Sequence, residues 1–243
     1  MKLRLDRLLQ LRNLAPTRQK AQALIVAGQV CVDDHLADKP GTLFPENCLI
    51  TIKGNDCPYV SRGGLKLVGG LEHFGLDPSG LICGDIGAST GGFSDCLLQR
   101  GAAKVYAIDV GYGQLAWKLR TDPRVIVMER TNARHLTPGD LPELFELAVI
   151  DASFISLEIL LQPVMTLVKP GGSILALIKP QFEVGKGLVG KGGVVRDPEL
   201  HEAAIAKVEE FGRTLGLTSH GHCPSPLLGP KGNREFLILF TLI

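Results

Sequence analysis

Aromatic side chains are scarce in this 243-residue chain: they make up 5 % of it, with one tryptophan, although 45 % is hydrophobic. That balance suits an α/β core built from aliphatic residues. No window offers ~18 uninterrupted apolar residues, so a simple membrane-spanning helix is excluded. The first charged residues are not followed by an apolar signal core, and the sequence predicts a cytoplasmic protein with no membrane partner and no obligate protein partner. The six cysteines, Cys31, Cys48, Cys57, Cys83, Cys96 and Cys223, form no C-x-x-C pair and no regular spacing, which predicts reduced structural thiols. His220-Gly221-His222-Cys223 has no second cluster to complete a metal site, so it reads as strand or loop and no metal is expected. Two nucleotide signatures are missing as well. Gly87 and Gly92 have the G-x4-G spacing of a phosphate-cradling loop, but Phe93-Ser94 stand where Lys and Ser/Thr are needed. No glycine lies two residues before or after Gly87, so the dinucleotide fingerprint G-x-G-x-x-G also fails.

What is present is a glycine turn, Gly84-Asp85-Ile86-Gly87-Ala88-Ser89-Thr90-Gly91-Gly92-Phe93, between the apolar run Leu81-Ile82-Cys83 and a helix to Gln99. Glycines let a backbone approach a bulky ligand, and the helix start offers unpaired N–H groups. A second acid, Asp109, ends the next apolar run from Val105 to Ile108. The pattern Asp85-x-Gly87-x-x-x-Gly91-Gly92 with Asp109 resembles the S-adenosylmethionine site of Rossmann-like methyltransferases. The alternative is a glycine turn in an α/β core that holds no ligand. The resemblance implies Asp85 near the methionine end and the turn Gly87, Ala88, Ser89, Gly91, Gly92 and Phe93 under the ribose. It implies Asp109, with Val110 beside it, at the ribose hydroxyls, Asn132-Ala133 near the adenine, and Asp151 at the cofactor's edge.

Net charge is +1, yet residues 1–30 hold Lys2, Arg4, Arg7, Arg12, Arg18 and Lys20 against Asp6 alone. A solvated helix face is one reading and a grip on a polyanion the other. Leu5, Leu8 and Leu9, then Ala21, Leu24 and Ile25, recur at helical spacing, Thr17 is an N-cap candidate and Gly28 a helix stop. Short strands follow at 29–32 and 49–52. The order predicts a small α+β module over 1–58, ended by the turn-rich Gly54-Asn55-Asp56-Cys57-Pro58. Arg4-Leu5-Asp6, Thr17-Arg18, Ala21, Leu24-Ile25, Gly28, Val30 and Val32 together resemble the S4 RNA-binding domain. That resemblance implies an RNA footprint with Arg4, Arg7, Arg12, Arg18 and Lys20 as phosphate contacts.

Residues 59–243 open with a helix carrying Leu65, Val68, Leu71 and Phe74, with Lys66 on its first turns. Strands are predicted at 81–86, 104–109, 124–128, 145–151, 172–179, 217–223 and 235–242, and helices at 92–100, 113–120, 155–168 and 198–215. Alternation predicts a mostly parallel sheet covered on both faces, its last two strands an antiparallel hairpin. The expected fold is α/β, a Rossmann-like seven-stranded methyltransferase domain behind the small module. Asp85, Asp109, Asp151 and Lys179 each end a predicted strand, so all four are expected to face one crevice. Asp151 could instead cap the next helix. No helix is expected after Lys179-Pro180, only a loop to Val195 with Gly185, Gly187, Gly190, Gly192 and Gly193 plus Lys186 and Lys191, a candidate RNA-ordered lid.

Lys66, Asp151, Lys179 in Lys179-Pro180-Gln181-Phe182-Glu183, and Glu235 in Gly232-Asn233-Arg234-Glu235-Phe236 resemble the Lys-Asp-Lys-Glu tetrad of FtsJ-like RNA 2'-O-ribose methyltransferases. By its residue context alone, Glu235 reads as a charge starting an edge strand and Lys66 as a surface lysine. An S4 module in front of such a domain resembles the TlyA/hemolysin A family, whose members methylate the 2'-hydroxyl of cytidines in ribosomal RNA. The resemblance implies S-adenosylmethionine as cofactor and ribosomal RNA or ribosomal subunits as partners. Three other readings are a pseudouridine synthase, which also begins with an S4 module, a membrane-active cytolysin, and a non-catalytic RNA-binding factor using the cofactor structurally.

Overall fold

A computed structural model describes residues 2–12, 14–33, 35–52, 57–229 and 231–243, with Lys186 described by its backbone alone. Asn13 and the expected turn at Gly54-Asn55-Asp56 lie outside the described residues. The chain forms two compact units, Met1–Pro58 and Tyr59–Ile243.

In the first unit β1 (Lys2–Arg4) leads into α1 (Leu5–Leu11), and α2 (Arg18–Val26) follows. β2 (Val30–Val32), β3 (His35–Leu36), β4 (Leu43–Pro45) and β5 (Ile50–Ile52) complete it. Leu5, Leu8, Leu9, Ala21 and Ile25 are buried together, as their helical spacing requires. The Thr17 hydroxyl accepts the Lys20 N–H at 3.1 Å and caps α2, and Gly28 takes φ +68° just past the helix end. β2 is central between β3 and β5, and β1 pairs antiparallel with β4. The sequence suggested two helices and then a sheet. β1, β3 and β4 are additions, each two or three residues long, too short for alternation to mark them.

The second unit begins with α3 (Gly63–Phe74), then β6 (Ile82–Ile86), α4 (Gly92–Gln99), β7 (Lys104–Ile108), α5 (Trp117–Arg120) and β8 (Val125–Met128). β9 (Phe145–Ile150), α6 (Leu157–Thr166), β10 (Val168–Ile178), α7 (Pro180–Glu183), α8 (Pro198–Thr214), β11 (Thr218–Pro224) and β12 (Phe236–Thr241) follow. The sheet order is β11-β12-β10-β9-β6-β7-β8, with β12 antiparallel to both of its neighbours and the pairs from β10 to β8 parallel. Strand order reverses between β6 and β9, so the crevice for a ligand opens at their carboxyl ends. Alternate residues of β9 serve opposite faces. Leu147 and Val149 pack with α3 and α4, Ala148 and Ile150 with α6. β6 and β9 are paired neighbours, and Gly84 leaves room between them for the Phe145 ring, since a Cβ would sit 2.5 Å from Phe145 Cδ2.

Four expectations need correcting. The helix foreseen over 113–120 covers Trp117–Arg120 only, because Gly113 adopts φ +72° and its N–H is held by the Glu129 carboxylate at 2.8 Å. β10 starts four residues early, at Val168, and absorbs Gly171 and Gly172 through a register shift against β9. A short helix does begin at Pro180: Lys179 is its extended N-cap, and proline at the first helical position sacrifices no hydrogen bond. Glu235 does not begin an edge strand, since β12 lies between β11 and β10.

Candidate active site

The glycine turn leaves β6 through Gly87, whose φ is +86° and whose missing Cβ would lie 2.8 Å from the Asp151 carbonyl oxygen. Gly87 and Ala88 donate their N–H groups to the Ile108 carbonyl at 2.9 and 3.2 Å. Asp109 fastens the turn from the next strand: Oδ2 accepts the Ser89 N–H at 2.8 Å and Oδ1 the Gly111 N–H at 2.6 Å. Asp85, still inside β6, is fully buried. Its Oδ2 accepts the Ser94 N–H at 2.9 Å and the Ser94 hydroxyl at 2.6 Å, while Oδ1 has no hydrogen-bond partner among the described residues. Burial pushes its carboxyl up to about 7, against the Ser94 hydrogen bonds and with help from the nearby Asp151 charge.

Two ion pairs stand beside that turn, Lys66–Glu235 buried and Lys179–Asp151 partly so. Lys66 rises from α3 and donates to Glu235 Oε2, both side chains being almost fully enclosed. Lys179, at the end of β10, places Nζ 2.6 Å from Asp151 Oδ1 and directs a 2.9 Å hydrogen bond to Ser153 Oγ. Lys66, Asp151, Lys179 and Glu235 line one cleft of about 710 Å3 with Asp85, Gly87, Ala88, Ser89, Gly92 and Phe93. Asp151 does not cap α6. Ser156 accepts the Glu158 N–H, and the buried Glu183 takes the Leu157 N–H at 2.8 Å and the Ser156 hydroxyl at 2.6 Å.

The crevice foreseen for four strand ends has two adjoining lobes. Asp109, Val110, Asn132 and Ala133 line a smaller cleft of about 410 Å3, which shares Gly87, Ser89, Asp151, Ser153 and Phe154 with the larger. Asp109 is turned there by its bonds to Ser89 and Gly111. Gly91 lines neither cleft: it precedes α4 and faces Leu115 and Leu119. Asn132 uses its side chain to cap the short turn at Ala133–His135 through the Arg134 N–H.

Several residues of the site escaped sequence reasoning. Ser94 and Ser153 are small hydroxyls whose importance lies in what they touch. Phe154 is 90 % exposed at φ +65° and sits 5.2 Å, centroid to centroid, from the Phe182 ring on the wall of the larger cleft. An exposed aromatic so close after a strand-ending acid was the available signal. The glycine-rich loop is partly ordered. A short turn spans Lys186–Leu188, Gly190 bridges Val194, and Asn233 holds the Val195 N–H and the Gly193 carbonyl, each at 2.9 Å.

In the first unit Arg7 and Lys20 are exposed. Arg4 and Arg18 are exposed at their tips but both bond the buried Asp6. Arg12 is half-buried: its guanidinium donates to the Cys48 carbonyl at 2.7 Å and to the Glu46 carbonyl, and so braces a loop. Those two bonds occupy donors that the sequence expectation assigned to phosphate. On β11, His220 bonds the Thr241 hydroxyl at 2.9 Å. Among the described residues no group of three His, Cys, Asp or Glu side chains could hold a metal ion, and no helix is long and apolar enough to cross a membrane.

Comparison with known proteins agrees with this geometry. The sequence profile of the FtsJ-like methyltransferase family matches residues 59–242, and that of the S4 domain matches residues 3–47. The 16S/23S rRNA (cytidine-2'-O)-methyltransferase TlyA of Mycobacterium tuberculosis is 49% identical over 97% of this chain and 88% of its own length. Hemolysin A of Brachyspira hyodysenteriae is 38% identical over 99% of this chain and 100% of its own. A solved Streptococcus thermophilus protein, described only as a candidate hemolysin, superposes with a TM-score of 0.78 at 42% identity, covering 98% of this chain and 88% of that one. The chain therefore belongs to the TlyA/hemolysin A family, in which an S4 domain precedes an FtsJ-like methyltransferase domain.

Proposed function

We propose that this protein transfers a methyl group from S-adenosylmethionine to the ribose 2'-hydroxyl of cytidine in ribosomal RNA, acting in the cytoplasm on ribosomal subunits or their RNA. The observation that carries the reading is the pair of lysine–carboxylate contacts, Lys66–Glu235 and Lys179–Asp151, on the wall of the cleft into which the glycine turn opens. The residues also fit the cofactor. Asp85 Oδ1 is a buried acceptor without a partner among the described residues, and Gly87 keeps open a backbone cradle that a Cβ would fill.

In this reading Asp85 faces the cationic methionine end. Gly87, Ala88, Ser89, Gly92 and Phe93 form the floor, with Gly91 shaping the turn from behind. Asp109 retains lone pairs for the ribose hydroxyls, and Val110, Asn132 and Ala133 border the adenine. When bound, S-adenosylmethionine supplies an electrophilic methyl group. A ribose hydroxyl is a poor nucleophile, so the protein's work is alignment and the removal of one proton. Lys179 steers the 2'-oxygen and, once its ammonium has released a proton to solvent, takes up the hydroxyl proton, held in place by Asp151 and Ser153. Lys66 holds the ribose or an adjacent phosphate, and Glu235 fixes Lys66. The first unit supplies RNA affinity through Arg4, Arg7, Arg18 and Lys20, and the loop from Val184 to Val195 closes over bound RNA.

Incubation with ribosomal RNA and methyl-labelled S-adenosylmethionine, followed by mapping of 2'-O-methylated nucleotides, tests the reading. Label at one or a few cytidine riboses is the expected result. Binding of both components without transfer supports the non-catalytic factor instead. Lysis of lipid vesicles with neither component present supports the property in some relatives' names.

A further inference from the structure

Asp6 is the one acid among the first thirty residues and stands in sequence among the basic residues expected to meet RNA. An acid there should weaken binding, yet it is completely buried and sits at the centre of a network. Arg4 grips it with both arms of its fork, Nε to Oδ1 at 3.1 Å and Nη2 to Oδ2 at 3.0 Å. Arg18 Nε and Gln22 Nε2 each reach the same Oδ2 at 2.9 Å. Its backbone is pinned too, the Asp6 N–H donating to the Pro40 carbonyl at 3.1 Å. The two arginine side chains remain 45% and 56% exposed, and Arg4 Nη1 and both Nη groups of Arg18 make no bond to Asp6. Arg4 foremost, then Gln22 and Arg18, hold the Asp6 carboxyl well below the usual carboxylate range, so the anion persists at any working pH.

We propose that Asp6 is a positioning residue for RNA: it holds Arg4 and Arg18 side by side as a preformed clamp for one backbone phosphate or two neighbouring ones. The inference rests on the RNA-binding reading above. Two guanidinium groups on one carboxylate oxygen are close neighbours, and without the anion between them they repel. A mobile arginine loses several rotatable bonds' worth of freedom when it seizes a phosphate, whereas one already fixed loses little. The Nη donors that Arg4 and Arg18 do not spend on Asp6 are then held ready for phosphate oxygens. The clamp thus has a counterintuitive signature: deleting a negative charge from the RNA-facing unit weakens RNA binding.

The test measures binding of full-length protein to purified unmodified 23S ribosomal RNA over a range of KCl concentrations. It compares wild type, Asp6→Asn, the double variant Arg4→Gln/Arg18→Gln, and the triple combination. Asp6→Asn is expected to bind at least about fivefold more weakly near 0.1 M salt, with the log–log salt slope reduced by roughly 1.5, the share of two phosphates. In the Arg4→Gln/Arg18→Gln background the same change is expected to alter affinity less than about twofold, since nothing is left to position. The NMR signals of the Arg4 and Arg18 Nε–H groups, sharp in the wild type, broaden in Asp6→Asn while the backbone amide pattern is kept, which simple unfolding would not produce. Equal or tighter binding by Asp6→Asn, or an effect undiminished in the double-variant background, overturns the proposal. If Asp6→Asn does not fold, Gln22→Met decides the matter. It preserves charge and removes one bond to Asp6, so binding at least twofold weaker is expected, and wild-type binding overturns the proposal. Failure of the wild type to bind RNA overturns the functional reading itself, a result distinct from all of these.

Discussion

Lys179 has two neighbours competing for its ammonium group, Asp151 Oδ1 at 2.6 Å and Ser153 Oγ at 2.9 Å, and both come from the loop that follows β9. The side chain is therefore aimed before any substrate arrives, which is what a group that must meet a 2'-oxygen needs. Lys179→Ala is expected to lower kcat by about 10^2- to 10^4-fold, the usual range for removing a proton-transfer group. Binding of S-adenosylmethionine should stay within a few-fold, as measured by calorimetry, and normal turnover would remove Lys179 from the mechanism. Asp85 carries the pH dependence. Its carboxyl is pushed from the ordinary 3.8 up to about 7 by burial, so the fold favours the neutral acid. That contribution to stability is fully present below about pH 4 and is lost as the pH rises through about 7, up to ~4 kcal/mol in all. The denaturation midpoint of the ligand-free protein should fall between about pH 4 and 7, and Asp85→Asn should flatten that fall. Affinity for the cationic cofactor should move the opposite way in the wild type, rising across the same window as the carboxylate forms.

At the scale of elements, the site depends on how close β6 and β9 run. Gly84 makes room for the Phe145 ring at their contact, and the same strands continue into Asp85, Gly87 and Asp151. Gly84→Ala would place a methyl group 2.5 Å from Phe145 Cδ2. It should cost about 1–3 kcal/mol by overpacking, read as a lower urea midpoint with an unchanged slope, and cofactor affinity should fall with it. The same scale explains where the sequence was hard to read. α5 shrinks to four residues because the stretch before it is fixed from outside, by the Glu129 carboxylate on the Gly113 N–H. α7 begins where a loop was expected because proline is read first as a breaker, although at a first helical position it is a starter.

For the whole molecule, the two units each have a buried core of their own. Residues 59–243 produced alone should therefore fold and bind S-adenosylmethionine with unchanged affinity. Binding of ribosomal RNA should weaken. With Arg12 engaged by backbone carbonyls, Arg4, Arg7, Arg18 and Lys20 are the phosphate contacts at stake. Removing four contacts should shrink the log–log salt slope by roughly 3. An unchanged slope in filter-binding titrations would show that the first unit does not hold the RNA backbone.

Patterns that act over a few residues were written in the sequence: the apolar periods of α1 and α2, the Thr17 cap, the seven strands, and a glycine turn flanked by Asp85 and Asp109. Each depends on local spacing and on the alternation of buried faces, so chain order suffices to reveal it. Other features depended on distant parts of the chain. Lys66 and Glu235 are 169 positions apart, and by composition one is a surface lysine and the other the start of an edge strand. The sheet order that puts β12 beside β10, with α3 packed over that face, encloses both and makes each the other's necessary partner. Arg12 is engaged by the carbonyls of residues 46 and 48, and Asp109 by the backbone of the turn it fastens. In each case a charged group went where its desolvation could be compensated, and only the folded chain determines which partners are near enough to do that.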